Sequence, residues 1–315
     1  MVISGRMNCR IFRHGAGFAY AGALLLWPLV TMPACGIKSE VRVPVSPRVA
    51  AARTATLQEL LAKLREYSDN ITSLSSSSVK VSLTTGKAES GKLQEYRSAP
   101  GYVLLRRPLS MLLAVQNPLT KTTILELLSR GDEFEIWSPR DNRLYIGRNS
   151  ARELELEEQG HALSFTARPS HILDAILPSW ILLDQPDRRI LRTEEQDADG
   201  KYYVLTQVQD LGGTELRPLR RLWVERSQLA VVKEETFTET GEVAGIVYYA
   251  NLAESDGVLL PLSIRIERPL DGYQLELQFR GWRVNPDLPE ASFALKPPAS
   301  AERIILKEKA RSHYP

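Results

Sequence analysis

The groups able to do covalent or acid–base chemistry in this chain are few and scattered: four histidines and two cysteines in 315 residues. His161 and His171 have no metal-spaced partner, and neither a nucleophile-elbow serine nor a glycine-rich phosphate loop accompanies them. Both are expected at the surface. The acidic run ELELEEQ, starting at Glu153, has the composition of a cation site, but a solvated helix or strand face needs the same residues. These features point away from catalysis, and neither a metal nor a cofactor is expected. One thiol is placed differently. Cys35 closes the stretch LLLWPLVTMPAC, where an apolar run that begins near Ala16 gives way to polar, proline-rich chain. Arg6, Arg10 and Arg13 precede the run, no acidic residue occurs before Cys35, and the small Ala34 stands next to it. A positive flank, an apolar centre short for a membrane span and a small residue before the cut are the layout of a cleaved export signal.

With Cys35 directly after Ala34, the segment resembles a bacterial lipoprotein signal, whose cysteine is lipidated and becomes the new amino terminus. The alternatives are an ordinary export signal with a chance cysteine and a weak membrane anchor. On the lipoprotein reading, residues 1–34 are the signal and residues 35–55, with their run VRVPVSPRVAAARTAT, are a lipidated tether. Gly36 and Ile37 place no acidic residue beside the cysteine, which in such lipoproteins favours the outer membrane and a domain facing the periplasm. Removing three arginines with the signal turns 40 basic against 38 acidic residues into 37 against 38. So even a balance, with the signs interspersed, argues against a nucleic-acid partner. Cys9 leaves with the signal, so the mature chain has no second cysteine for an internal disulfide. The remaining domain, roughly 250 residues, must live on a hydrophobic core.

Any functional surface must be positioned by a helix and the many strands beyond it. Thr56 reads as a helix cap, and Leu57, Leu60, Leu61, Leu64, Tyr67 and Ile71 recur at helical spacing. Most of the chain beyond this helix alternates with period two. In YQLELQFRGW, Tyr273, Leu275, Leu277 and Phe279 share one face; in LPLSIRIERP, Leu262, Ile264 and Ile266 do. DADG, LGG, ETG and SDG separate successive strands. A second helical repeat interrupts the strands at RPSHILDAILPSWILL, with Ile172, Leu173, Ile176, Leu177 and Trp180 on its stripe. The expected fold is mainly β (α+β): a single curved antiparallel sheet of about eleven strands, forming a half-open β-barrel with the helices as a lid. Its domain is expected over residues 56–300, with 301–315 as a C-terminal tail.

This order of signal, cysteine, amphipathic helix, long sheet, inserted helix and terminal segment resembles the carrier and receptor fold of the Lol lipoprotein-sorting system (LolA and LolB). The resemblance covers roughly Leu57 to Pro298. VQNPLTKTTILEL is similar to the receptor's loop between neighbouring strands, in which an apolar residue after Asn-Pro projects toward lipid; here that residue is Leu119. LPSWILL is similar to the receptor's helix, while Arg106 and Arg107 before Pro108, and NPDLPEASFALKPP from Asn285, resemble the wider superfamily. The long C-terminal half is closer to the carrier. The resemblance implies a monomer that takes acyl chains of lipoproteins or phospholipid into an apolar cavity, with a periplasmic carrier protein as a further partner.

Phe134, Ile136, Leu262, Ile264, Leu275, Leu277 and Phe279 are the expected lining of that cavity, with Trp180 on the covering helix. The alternative is that these side chains only pack against one another. Leu119 is expected to enter the membrane, unless its loop folds back on the core. Arg107 is expected at the rim, holding the lid by hydrogen bonds to helix ends, unless it is a solvated strand arginine. The same fold would also serve a sensor of lipid or mislocalised lipoprotein, or a packed scaffold whose edge strands bind a partner.

Overall fold

Why the chain curls is visible in how its strands alternate. In a computed structural model, which describes residues 51–86, 94–150, 167–178 and 187–306, the helix α1 (Leu57–Asn70) starts on a complete capping box. The Thr56 hydroxyl accepts from the Glu59 amide at 3.3 Å, and the Glu59 carboxylate accepts from the Thr56 amide at 2.7 Å. Leu60, Leu61 and Leu64 turn one face of α1 onto the sheet and are buried.

Six strands then meander: β1 (Ser73–Thr85), β2 (Gln94–Arg106), β3 (Ser110–Gln116), β4 (Thr123–Arg130), β5 (Glu133–Ser138) and β6 (Arg143–Arg148). Helix α2 (Pro169–Ile176) leads to a second meander: β7 (Arg188–Gln196), β8 (Lys201–Asp210), β9 (Leu216–Glu225), β10 (Ala230–Phe237), β11 (Val243–Ser255), β12 (Val258–Arg268) and β13 (Tyr273–Phe279). β13 pairs antiparallel with β1, so the two meanders fuse into one sheet. Two short strands complete it: β14 (Arg283–Val284), beside β1, and β15 (Glu302–Ile305), parallel to β6. Among the described residues the sheet has 15 strands and stays open, with β15 and β7 at its edges.

The expected architecture of one curved, open sheet under helices is what the chain adopts, with two corrections of detail. The described residues form 15 strands instead of about eleven. Also, the segment expected as a C-terminal tail contributes β15, whose parallel pairing with β6 makes the sheet mixed. The short strands carry too few residues for alternation to show.

Alternate residues deliver one continuous apolar layer to the concave side: Val79, Val81 and Leu83 of β1, Val103 and Leu105 of β2, Ile264 and Ile266 of β12, Leu275 and Leu277 of β13. α1 packs into this layer, and α2 crosses it against β3, β4 and β12, touching both meanders. β3 is buried on both faces, because a second cluster forms on its convex side: Leu112, Leu128 and Phe293, flanked by Leu288 and Leu295. The stretch after β14 therefore straps the outside of the sheet.

Before α1, the chain is already part of this body. The Ala55 amide donates to the Tyr203 hydroxyl at 2.9 Å, and Arg192 Nη1 donates to the Ala55 carbonyl at 2.7 Å. Arg226 Nε donates to the Arg53 carbonyl at 2.9 Å. The guanidinium groups of Arg192 and Arg226 lie 5.3 and 4.6 Å from the Tyr203 ring centroid. Whatever reach the segment after Cys35 has, it ends at this clamp.

Candidate functional site: the roofed concave face

A sheet strand sends neighbouring residues to opposite faces, and the Arg106–Arg107 pair at the end of β2 shows what this does. Arg106 goes outward. Its Nη1 donates to the Leu288 carbonyl at 2.9 Å, its Nη2 pairs with Glu290, and its guanidinium lies 5.0 Å from the Phe293 ring centroid. Arg107 goes to the helix. Its Nε donates to the Ile71 carbonyl at 2.9 Å and its amide to the Thr72 carbonyl at 2.8 Å. Ile71 is the C-cap of α1, where carbonyls lack helical partners, so the bond satisfies an acceptor that would otherwise be orphaned. Burial holds the guanidinium below its ordinary pKa, while Tyr67 and Asp69 raise it. Its Nη2 is buried without a partner among the described residues.

Asn285 completes the grip on the end of α1. It sits at φ 52°, a left-handed conformation that asparagine tolerates better than most residues. Its Oδ1 accepts from the Thr72 amide at 2.8 Å, the Thr72 hydroxyl at 3.0 Å and the Ser73 amide at 3.3 Å. Its Nδ2 donates to the Asn70 carbonyl at 2.7 Å. The lid is thus latched at its C-terminal end by polar groups, while the clamp on Arg53 and Ala55 fixes the chain just before its N-terminus.

The expected lining residues fall in one cluster. Phe134, Ile136, Ile264, Leu275, Leu277 and Phe279 are buried in the concave core together, and Leu262 is half-buried against it. Phe134 lies over Gly147, its cross-strand partner; a Cβ there would meet the ring at 2.4 Å, so only glycine leaves the ring this position. Trp180 and Cys35 lie outside the described residues. The lining is covered instead of open. Among the described residues, the cavities along the concave face include two of about 170 and 250 Å³, each below the ~300 Å³ from which ligand pockets usually start. The first lies between Tyr67 on α1 and the turns near Leu229 and Val258, and Tyr249 is on its wall. The second lies under α2, between His171 and Asp174 and the strands carrying Arg220, Glu234 and Arg268.

Sequence alternation did not identify these polar residues, and a bulge explains why for Glu234. In AVVKEETF a strict period of two puts Val231, Lys233 and Glu235 on one face. The β9–β10 register shifts between Val231 and Lys233, so Glu234 turns inward after Val231 and is 4% exposed. It pairs with Arg220 Nε at 3.0 Å and accepts from the Tyr249 hydroxyl at 3.3 Å. Burial, with the nearby Glu234 carboxylate adding to it, holds the Tyr249 phenol well above its ordinary pKa. Nothing local to VVKEETF marks a bulge.

Leu119 stands apart from the core, 90% exposed on the β3–β4 loop. The loop is braced: Asn117 Oδ1 accepts from the amides of Leu119 and Thr120 at 2.9 and 3.2 Å, and the Asn117 amide donates to the Thr122 carbonyl at 2.8 Å. Held this way, Leu119 projects outward instead of folding back.

Among the described residues, no group of three or more His, Cys, Asp or Glu side chains could hold a metal ion, and no helix is long and apolar enough to cross a membrane. No family model matches the sequence, and no curated protein matches it. Among solved structures, the chain is similar to a LolA superfamily protein from Nitrosomonas europaea, with a TM-score of 0.46 and 20% identity over 77% of this chain and 99% of that one. It is also similar to a domain assigned as an outer membrane lipoprotein-sorting protein from Vibrio parahaemolyticus, with a TM-score of 0.46 and 14% identity over 75% and 94% of the two chains. Both are similarities at the level of fold.

Proposed function

We propose that the protein is a lipid-anchored periplasmic protein that shelters acyl chains under its helices and takes part in moving lipoproteins or lipids to the outer membrane. The observation that carries this reading is the roof. Among the described residues, a concave apolar layer spanning both meanders is covered by two helices and not by a second sheet, and polar groups latch the C-terminal end of α1. Sheltering an acyl chain in water needs about 0.8 kcal/mol per methylene, on the order of 10 kcal/mol for a long chain. Only a broad apolar surface supplies that. Because α1 and α2 lie over this layer, uptake requires them to lift while acyl chains replace their leucines and isoleucines. Leu119, rigidly presented, is the contact with the bilayer.

The test is native mass spectrometry of the chain without residues 1–35 after incubation with phospholipid vesicles. Bound phospholipid or acylated peptide is expected; a protein that stays empty under all vesicle compositions behaves as a packed scaffold and contradicts the proposal. Leu119→Glu gives a separate check. Its side chain touches nothing that holds the fold, so the stability change should stay within about 0.5 kcal/mol. Loss of one leucine from the membrane, worth about 1.5–3 kcal/mol, should slow transfer into liposomes roughly 10- to 150-fold. An unchanged transfer rate would remove Leu119 from the mechanism.

A further inference from the structure

Leu119 is not alone in leaving a large apolar side chain in water. Eight are exposed among the described residues, and five of them, Leu119, Ile124, Leu211, Leu216 and Leu270, lie on or beside the turns β3–β4, β8–β9 and β12–β13. The register puts these three turns at one end of the sheet. From β6 round to β7 every neighbouring pair of strands is antiparallel, so alternate turns fall on the same rim. Along that rim the three apolar turns are evenly set, each four strand spacings from the next, about 19 Å measured along the sheet. The opposite rim differs. Its turns, at 107–109, 131–132, 197–200, 226–229 and 256–257, have one exposed large apolar side chain among the described residues, Leu109.

The leucines are held in place. At β12–β13 the Gly272 amide donates to the Pro269 carbonyl at 3.3 Å, with Gly272 at φ 66°, and Arg268 Nε donates to the Asp271 carboxylate at 2.9 Å, so Leu270 stands on a fixed corner. At β8–β9 the Leu211 amide donates to the Glu215 carbonyl at 3.2 Å and the Gly212 amide to Asp210 Oδ1 at 2.9 Å. Apolar turns this far apart do not make the contiguous patch that a protein partner covers. A bilayer reaches all of them, because it is a plane and needs no matching shape. The length of chain before the described body fits this arrangement. The chain enters at Arg53, held by Arg226 in a turn of the opposite rim. From Cys35 to Arg53 is 18 residue steps (35 to 53), at most about 60 Å of extended chain, against about 43 Å for the 13-residue strands β1 and β11. A lipid on Cys35 and the apolar rim therefore reach one membrane together. We propose that the protein stands on the bilayer by this rim, with Leu211, Leu216 and Leu270 entering the interface beside Leu119, and with the latched end of α1 pointing away from the membrane. The rim carries charges of both signs, Lys121 and Arg217 as well as Glu239 and Glu242, so the attachment is apolar and needs no anionic lipid.

This inference rests on the proposed function, which gives the bilayer contact to Leu119 alone, and its experiment separates the two. The lipidated mature chain has no free cysteine, so Leu119→Cys, Leu211→Cys and Leu270→Cys each carry one environment-sensitive fluorophore, as do Leu109→Cys and Gln228→Cys on the opposite rim. Each variant is anchored in vesicles of phosphatidylethanolamine and phosphatidylglycerol, with and without a nitroxide-bearing phospholipid. Labels at 119, 211 and 270 should shift to shorter wavelength and be quenched by the nitroxide, in high salt as in low. Labels at 109 and 228 should stay aqueous and unquenched. Leu211→Glu and Leu270→Glu should each slow transfer into liposomes roughly 3- to 10-fold, less than Leu119→Glu, because the two side chains are 45% and 48% exposed and about half of each is already covered. Quenching confined to position 119, or as strong at 109 and 228 as on the apolar rim, overturns the inference and leaves the contact at Leu119 and acyl binding standing. Loss of quenching in high salt makes charge the cause and also overturns it. No quenching at any position overturns the Leu119 contact with it, while acyl uptake is read separately by mass spectrometry.

Discussion

Phe293→Ala should lower the unfolding free energy by about 3–5 kcal/mol, although the residue lies outside the main core and near the end of the chain. Its side chain is 0% exposed, packed with Leu112 and Leu128 on the convex face. Truncation removes its buried area and also dissolves the reason for the strap to lie flat. Arg106 loses the ring beneath its guanidinium and keeps only the polar contacts to Leu288 and Glu290. Once the strap lifts, Leu112 and Leu128 face water. Urea denaturation monitored by circular dichroism measures the loss, and limited proteolysis locates it: new cleavage should appear between Asn285 and Ala301 before the rest of the sheet is cut. Phe293→Leu, which refills much of the volume, should recover most of the stability. A loss below about 1 kcal/mol for Phe293→Ala would mean that the strap contributes little to the fold.

Asn285→Ala should cost about 2–4 kcal/mol and, unlike the first substitution, act on the lid. The amide accepts from Thr72 and Ser73 and donates to Asn70, so its loss strips partners from the end of α1 and the start of β1 together. Alanine is also a poor occupant of φ 52°, adding about 1 kcal/mol. Asn285→Gly separates the two contributions: glycine removes the backbone penalty while leaving the hydrogen bonds unmade. Hydrogen exchange should accelerate in α1 before it does in β12 or β13, and, under the proposed function, acyl uptake from vesicles should become faster as the helix is held less firmly. Uniform acceleration across the sheet, with α1 no more affected than β12, would show that Asn285 is a general fold residue and not a latch.

How much of this could be read from the amino acids depends on whether local pattern or distant packing decides each feature. Helix α1 was legible because Thr56, Glu59 and the leucine spacing are all local, and the structure uses each of them. β12 and β13 were legible because one face is wet and the other dry. The run MLLAVQ held a further message. A strand apolar on both faces needs a second cover, and the cover is Phe293, more than 170 residues later by chain position (293 against 116). Sequence pattern showed the two arginines before Pro108 but not that they divide between strap and latch, since that depends on which side of the sheet each structure lies on. The buried carboxylate of Glu234 was hidden by the bulge in β10, which turns it inward against the local alternation. The helical stripes expected to share the interior with the sheet do so: Leu60, Leu61 and Leu64 of α1 and Ile172, Leu173 and Ile176 of α2 join the same core cluster as the sheet's inward residues.

In the proposed mechanism, the layer now covered by the helices becomes the surface against which acyl chains lie. The sharpest test is photocrosslinking with a phospholipid carrying a diazirine at the middle of one acyl chain, with the labelled peptides then mapped. Label is expected on the inward residues of β12 and β13, at Ile264, Ile266, Leu275 and Leu277, with Asn285→Ala increasing its rate of appearance. Label confined to the Leu119 loop and the convex face, with these strands untouched, would contradict the mechanism.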